Sequence, residues 1–159
     1  MIGFYEMKQE IYNIARRLKG IDSVKQKRLD FCKTYIPVLK MIEDDEDLKQ
    51  ACMKYSIYSH EVKHQSVINY LEEHFMQDAY DADMVIHDYS AVLNAIDLFE
   101  RVAQLKKRDL DSLSAYQILG CIAWHFRRDH FNNGSLISES IGKGYMLNML
   151  EAYLNHQTV

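Results

Sequence analysis

Apolar residues recur at intervals of three and four positions along most of this chain, which is the spacing of one face of an α-helix. The pattern is clear over residues 4–18, 45–58 and 59–76, and again in a segment that starts near Ser23. No run of alternating apolar and polar residues is long enough to predict a β-sheet. We therefore expect an all-α fold, a compact bundle of about seven helices that forms one domain over residues 1–159.

The longest stretch of helical spacing covers residues 83–107 and predicts a long central helix. Its apolar residues follow a near-heptad rhythm: Val85, Tyr89, Val92, Ile96, Phe99 and Ala103. A helix of this kind also offers a contact surface for a homodimer. The preceding residues, 77–83, are polar enough to predict a loop, and the flexible segment Gly142–Gly144 separates the two final helices.

Short polar side chains mark several expected helix starts. Asp22 or Ser23 can cap the second helix, because a side-chain oxygen there accepts a hydrogen bond from a free backbone N–H. The acidic residues 43–47 suit the start of the third helix, where the helix dipole is positive. Residues 109–112 offer caps for a later helix. Pro37 lacks a backbone donor and predicts a kink or a short interruption.

The composition indicates a globular protein and also bears on its cellular compartment. Of 159 residues, 48% are apolar, one is Pro and six are Gly, which excludes a disordered chain and gives a core that needs no cofactor to form. The odd, widely spaced cysteines Cys32, Cys52 and Cys121 are typical of buried thiols in a reducing compartment. We see no secretory signal and no apolar stretch of membrane-spanning length. We therefore expect a cytoplasmic protein without a membrane partner.

One segment matches a metal-site motif, His60-Glu61-Val62-Lys63-His64. On a helix, His60 and His64 would share a face and could both bind zinc, and Glu61 could act as general base on a metal-bound water. This pattern predicts a metal-dependent hydrolase. A third ligand would have to come from elsewhere; the available residues are Asp83, His87, His125 and His130. The alternative is that both histidines are partly buried side chains at the edge of an apolar stripe.

Basic residues are concentrated in residues 16–40: Arg16, Arg17, Lys19, Lys25, Lys27, Arg28, Lys33 and Lys40. If they gathered on one exposed face, they could bind nucleic acid. The formal net charge of −4 and the acidic run that follows argue against a dedicated nucleic-acid binder. Two solvated helix faces explain the same residues, so we rank nucleic-acid binding third among the functions considered.

A second polar cluster surrounds the end of the helix before residue 130. It consists of Arg127, Arg128, Asp129, His130, Asn132 and Asn133. Because guanidinium groups present a rigid fork of donors, the cluster could bind a phosphate, a carboxylate or an acidic partner. The alternative is helix termination, with the arginines complementing the dipole, Asp129 paired with one of them, and Asn133 and Gly134 making the turn.

The same segment carries a family resemblance. Residues 127–134, followed by an apolar helix, Gly144 and the leucine-rich residues 146–154, resemble the C-terminal signature of the bacterial domain-of-unknown-function 6508 family. The resemblance begins at the helix after Ser112. His130 stands where that family has a second arginine, and the spacing from Gly134 to Gly144 is longer by about one residue. The resemblance implies a small helical module and no particular activity.

No nucleophile elbow, phosphate-binding glycine loop or dinucleotide motif is present in the sequence. We therefore expect a non-enzymatic protein-interaction or regulatory module of a bacterium or phage, a class that includes inhibitors of a host system. The first alternative is the metal-dependent hydrolase built on His60, Glu61 and His64. The second is nucleic-acid binding through residues 16–40.

Overall fold

The computed structural model describes residues 6–9, 11–12, 23–54, 64–129 and 135–157. Every regular element in these ranges is helical, which confirms the all-α class. The helices that follow residue 23 are α1 (Val24–Glu43), α2 (Glu46–Met53), α3 (Gln65–Asp81), α4 (Tyr89–Asn94), α5 (Lys107–Leu110), α6 (Ala115–Asp129), α7 (Ser135–Gly142) and α8 (Tyr145–His156), with a 3₁₀ turn at Val102–Gln104. Within the described ranges, no helix combines the length and the apolar character needed to cross a bilayer.

Two short polar side chains begin α1 and α2. The Ser23 Oγ accepts a hydrogen bond from the Gln26 N–H at 3.3 Å, and the Asp45 Oδ1 accepts one from the Leu48 N–H at 3.2 Å. These caps confirm the predicted helix start at Ser23 and the role expected for the acidic run. Pro37 lies on the exposed side of α1. The helix continues through this residue, and the interruption expected there is absent.

The prediction of one long helix over residues 83–107 is wrong. The chain instead forms α4, the 3₁₀ turn and α5, joined by loops. Asp83 and Asp97 adopt left-handed backbone angles, with φ of 58° and 56°, which an α-helix cannot accommodate. At Asp97 the N–H of Leu98 donates to the carbonyl oxygen of Leu93 at 2.9 Å, closing a C-terminal motif that usually contains glycine. Residues 83–107 therefore do not offer one continuous helical surface, and the possible homodimer stays a prediction.

The loop predicted for residues 77–83 is also mostly helix, because α3 continues to Asp81. Helix α3 ends in the same way as α4. The N–H of Met84 donates to the carbonyl oxygen of Ala79 at 2.9 Å, across the left-handed residue Asp83. Aspartate is one of the few residues besides glycine that adopt this conformation at modest cost.

α6 takes the central position that was expected for the longer helix. Residues 118–126 are all buried, and α6 packs against α4, α7 and α8. It begins with a reciprocal pair of hydrogen bonds: the Gln117 N–H donates to the Ser114 Oγ at 3.2 Å, and the Ser114 N–H donates to the Gln117 Oε1 at 2.9 Å. Ser114 is therefore the cap, and the prediction of a cap within residues 109–112 is wrong.

An aromatic cluster joins α1, α3 and α6 in the core. The ring of Phe75 is fully buried and lies 5.4 Å from the ring of Phe31, 4.9 Å from that of Tyr35 and 5.4 Å from that of Phe126, measured between centroids. The Tyr35 hydroxyl, also buried, donates a 2.6 Å hydrogen bond to the Asp78 carboxylate. Burial raises the pKa of Asp78, and the hydrogen bond from Tyr35 partly offsets this effect.

Gly142 allows α7 to approach α2 closely, and we expect Gly142→Ala to destabilise the fold by about 1 to 3 kcal/mol. A Cβ at this position would lie 2.5 Å from the Met53 Cγ and 2.9 Å from the Lys49 carbonyl oxygen, which is backbone and cannot move aside easily. Gly120→Ala is the matched control, because its Cβ would meet only side chains at 3.4 Å or more. Thermal unfolding that is equal for the two variants would contradict this expectation.

Candidate functional site

The last turn of α6 presents two arginines with different surroundings. Arg127 is exposed, whereas Arg128 is half-buried beside two aromatic rings. The Arg128 Cζ lies 4.9 Å from the centroid of the Trp124 ring and 5.4 Å from that of Phe99. A guanidinium at these distances is attracted by the electron-rich face of each ring. We call these four residues the arginine cluster.

The arginine cluster is anchored in the core on one side. Trp124 has 7% of its surface exposed, and the half-buried Phe99 stacks on Tyr89 with 6.2 Å between centroids. Two ring contacts restrict the orientations that the Arg128 guanidinium can adopt, so less entropy is lost when it binds an oxygen ligand. The cluster joins the loop after α4 to the end of α6, residues that lie far apart in sequence.

Asp129 has a structural role within the predicted binding group. Its side chain is 2% exposed, and its Oδ1 accepts a 2.8 Å hydrogen bond from the backbone N–H of Ile137, in the first turn of α7. Asp129 therefore caps α7 from a neighbouring helix. The remaining predicted members, His130, Asn132 and Asn133, lie outside the described residues.

The sequence reasoning missed Glu72, a buried carboxyl group next to Asp129. Only 9% of Glu72 is exposed, and its Oε2 has no hydrogen-bond partner among the residues that the structure describes. Burial raises the pKa of Glu72 to about 8; the negative charge of Asp129 adds to this effect, and a hydrogen bond with Ser138 opposes it. The sequence does contain one signal for the burial of Glu72, which is its position on the α3 face that carries Ile68 and Phe75.

His125, one of the proposed third ligands for a metal, is committed to the core. It is 2% exposed, and its Nδ1 lies 2.9 Å from the Cys121 carbonyl oxygen, so that nitrogen carries a proton and donates it. Burial lowers the pKa of His125 to about 4, which leaves the ring neutral at physiological pH. Its role in the described structure is therefore packing with an internal hydrogen bond.

The structure describes only part of the predicted metal motif. His64 is the residue before α3, with φ of −117° and ψ of 4°, and its partly buried ring carries an Nε2 atom without a hydrogen-bond partner among described residues. His60 and Glu61 lie outside the described ranges. In those ranges, no three His, Cys, Asp or Glu side chains are grouped so that they could hold a metal ion.

The basic residues of segment 16–40 lie in different environments. Lys25, Lys33 and Lys40 are exposed on α1, whereas the Arg28 Nε donates a 2.7 Å hydrogen bond to the Asp83 carbonyl oxygen. Arg16, Arg17 and Lys19 lie outside the described residues. Arg28 therefore helps to hold the loop after α3 against α1.

The cysteines Cys32, Cys52 and Cys121 are free and buried, as expected from their sequence surroundings. Burial raises the pKa of each thiol to about 12. Because the thiolate is the reactive form, these cysteines are unsuited to act as nucleophiles in the folded chain.

Comparison with known proteins gave no match, whether with family models, with curated proteins or with solved structures. The resemblance of residues 127–154 to a bacterial helical family therefore stays a prediction.

Proposed function

We propose that this chain is a non-enzymatic protein-interaction or regulatory module that binds an acidic surface of a partner protein through the arginine cluster. The observation that carries this proposal is the position of Arg128 against Trp124 and Phe99, next to the exposed Arg127. Arginine and tryptophan are the residues that most often dominate binding energy at protein interfaces. A carboxylate is the matching ligand, because it accepts two parallel N–H bonds from one guanidinium.

The proposal is tested by native mass spectrometry of untagged protein purified from its native cell without chelator. We expect a stoichiometric protein partner whose affinity falls by about tenfold or more in the Arg127→Ala, Arg128→Ala double variant. Arg128→Lys should give an intermediate loss, because lysine keeps the charge but not the planar fork. Lys25→Ala with Lys33→Ala is the matched control: it removes two exposed positive charges from α1 and should leave binding unchanged.

Other outcomes of the same experiment count against the proposal. A partner retained equally by both double variants would exclude the arginine cluster as the contact. Bound nucleic acid that is lost with Lys25 and Lys33 would favour the basic face of α1. A stoichiometric metal that is lost in His64→Ala would favour the second candidate function, a metal-dependent hydrolase. The His64 Nε2 atom has no hydrogen-bond partner among the described residues, which supports that candidate, because an imidazole nitrogen is a common zinc ligand.

A further inference from the structure

A cleft of about 270 Å³ lies between the loop that follows α4 and the start of α6. Its apolar surface comes from Leu98, which is buried, and from the half-buried Leu105 and Leu113. Two oppositely charged residues, Arg101 and Asp109, also line it, and both are exposed to solvent. The cleft therefore offers an apolar surface, a cation and an anion to one small ligand.

The two charges in the cleft are held in place but do not neutralise each other. The Arg101 Nε donates to the Asp97 carbonyl oxygen at 3.3 Å, and the Asp109 Oδ2 accepts from the Lys106 N–H at 2.8 Å. No ion pair joins Arg101 to Asp109 or to any other acidic side chain in the described part of the chain. The terminal nitrogens of Arg101 and the Oδ1 of Asp109 therefore remain for a ligand.

We propose that this cleft binds a free α-amino acid with an aliphatic side chain. The carboxylate of the ligand accepts hydrogen bonds from Arg101, its ammonium group donates to Asp109, and its side chain packs on Leu98, Leu105 and Leu113. This ligand carries an ammonium group and a carboxylate group on one carbon atom, with an apolar side chain beside them, and the lining contains a residue that suits each of the three.

The size of the cleft agrees with a ligand of this class. The cleft has a volume of about 270 Å³ and is open to solvent on one side. The volume is below the range of about 300 to 1,000 Å³ that is typical for drug-sized ligands. A small zwitterion therefore suits the cleft better than a nucleotide or a larger cofactor.

The test uses isothermal titration calorimetry with the full chain and three probes: leucine, N-acetyl-leucine, which lacks the ammonium group, and leucinamide, which lacks the carboxylate. We expect saturable binding of leucine and a loss of about tenfold or more for each of the other two probes. Asp109→Asn keeps an oxygen that can accept from the Lys106 N–H, so it should weaken leucine while leaving N-acetyl-leucine unaffected. Arg101→Gln should weaken leucine while leaving leucinamide unaffected.

Arg108→Ala is the control variant, because Arg108 is exposed on α5 and is not part of the cleft lining. It should bind leucine like the unmodified chain. The proposal is overturned if leucine does not bind at about 10 mM, a concentration above the usual range of weak ligands. Equal binding of leucine by Asp109→Asn, Arg101→Gln and the unmodified chain would also overturn it, as would binding of leucine-containing peptides only. The arginine cluster takes no part in this test.

Discussion

Replacing Phe75 with alanine should lower the free energy of unfolding by about 3 to 5 kcal/mol. The ring is fully buried, and it contacts aromatic rings of both α1 and α6 at centroid distances of 4.9 to 5.4 Å. Its removal takes away apolar burial and leaves a cavity among stiff rings that cannot close around it. Urea unfolding followed by circular dichroism measures this difference.

Phe75→Leu provides the comparison, because it keeps most of the volume and loses only the aromatic contacts. We expect a loss of about 1 to 2 kcal/mol for that variant. If alanine and leucine cost the same, the stabilisation would come from the aromatic contacts of the ring and not from the volume that it fills. A loss below about 1 kcal/mol for alanine would mean that α1, α3 and α6 do not meet around this residue in solution.

Replacing Glu72 with glutamine should remove a large part of the pH dependence of stability. The ordinary pKa of this side chain is 4.5, and in the folded chain it is about 8. Between these values the folded state keeps a proton that the unfolded state has released, so the stabilisation present below pH 4.5 is lost as the pH rises towards 8. Since one pKa unit corresponds to about 1.4 kcal/mol, the loss between pH 5 and 8 is on the order of 3 kcal/mol.

The measurement is the free energy of unfolding at pH 5, 6, 7 and 8 for the unmodified chain and for Glu72→Gln. His125 acts in the opposite direction, because its pKa is lowered to about 4 and stability is lost as the pH falls below its ordinary value of 6.5. This contribution is common to both proteins and cancels in their difference. Glu73→Gln, an exposed neighbour, should leave the pH dependence unchanged. Parallel curves for Glu72→Gln and the unmodified chain would refute the expectation.

Local chemistry explains which helices could be predicted. Ser23 and the acidic run before α2 were identified as helix starts because capping depends on residues close in sequence. Ser114 and Gln117 carry the same kind of signal, but the polar residues 109–112 offer competing cap positions in the sequence. Residues 114–117 form a Ser-x-x-Gln pattern, so the reciprocal hydrogen bonds of this cap are encoded in the local sequence.

The division of residues 83–107 could not be predicted from apolar spacing. The spacing reports which residues are buried and says nothing about backbone angles at single positions. Asp83 and Asp97 end helices in a left-handed conformation that is usually assigned to glycine, and each is exposed, like any aspartate on a helix surface. The sequence alone therefore does not separate a helix stop from a solvated side chain at these positions.

The residue types of the candidate site could be predicted from the sequence, but the residues that contact them could not. Arg127 and Arg128 were identified from their density of charge, but the ring of Phe99 comes from a loop that was expected to be helix. Asp129 was grouped with the binding residues, although it caps α7. The burial of Glu72 could not be predicted. A single carboxyl residue in an apolar stripe gives the same sequence pattern whether it lies inside the buried face or at its exposed edge.

The packing of α1 against α8 has a consequence for synthesis in the cell. Residues 44–144 separate these helices, and both bury apolar side chains, α8 chiefly against α1 and α6. Because a nascent chain emerges from its N-terminal side, α1 leaves the ribosome before α8 has been synthesised to cover it. The apolar face of α1 is then open to chaperones or to other nascent chains, and its burial waits for α8.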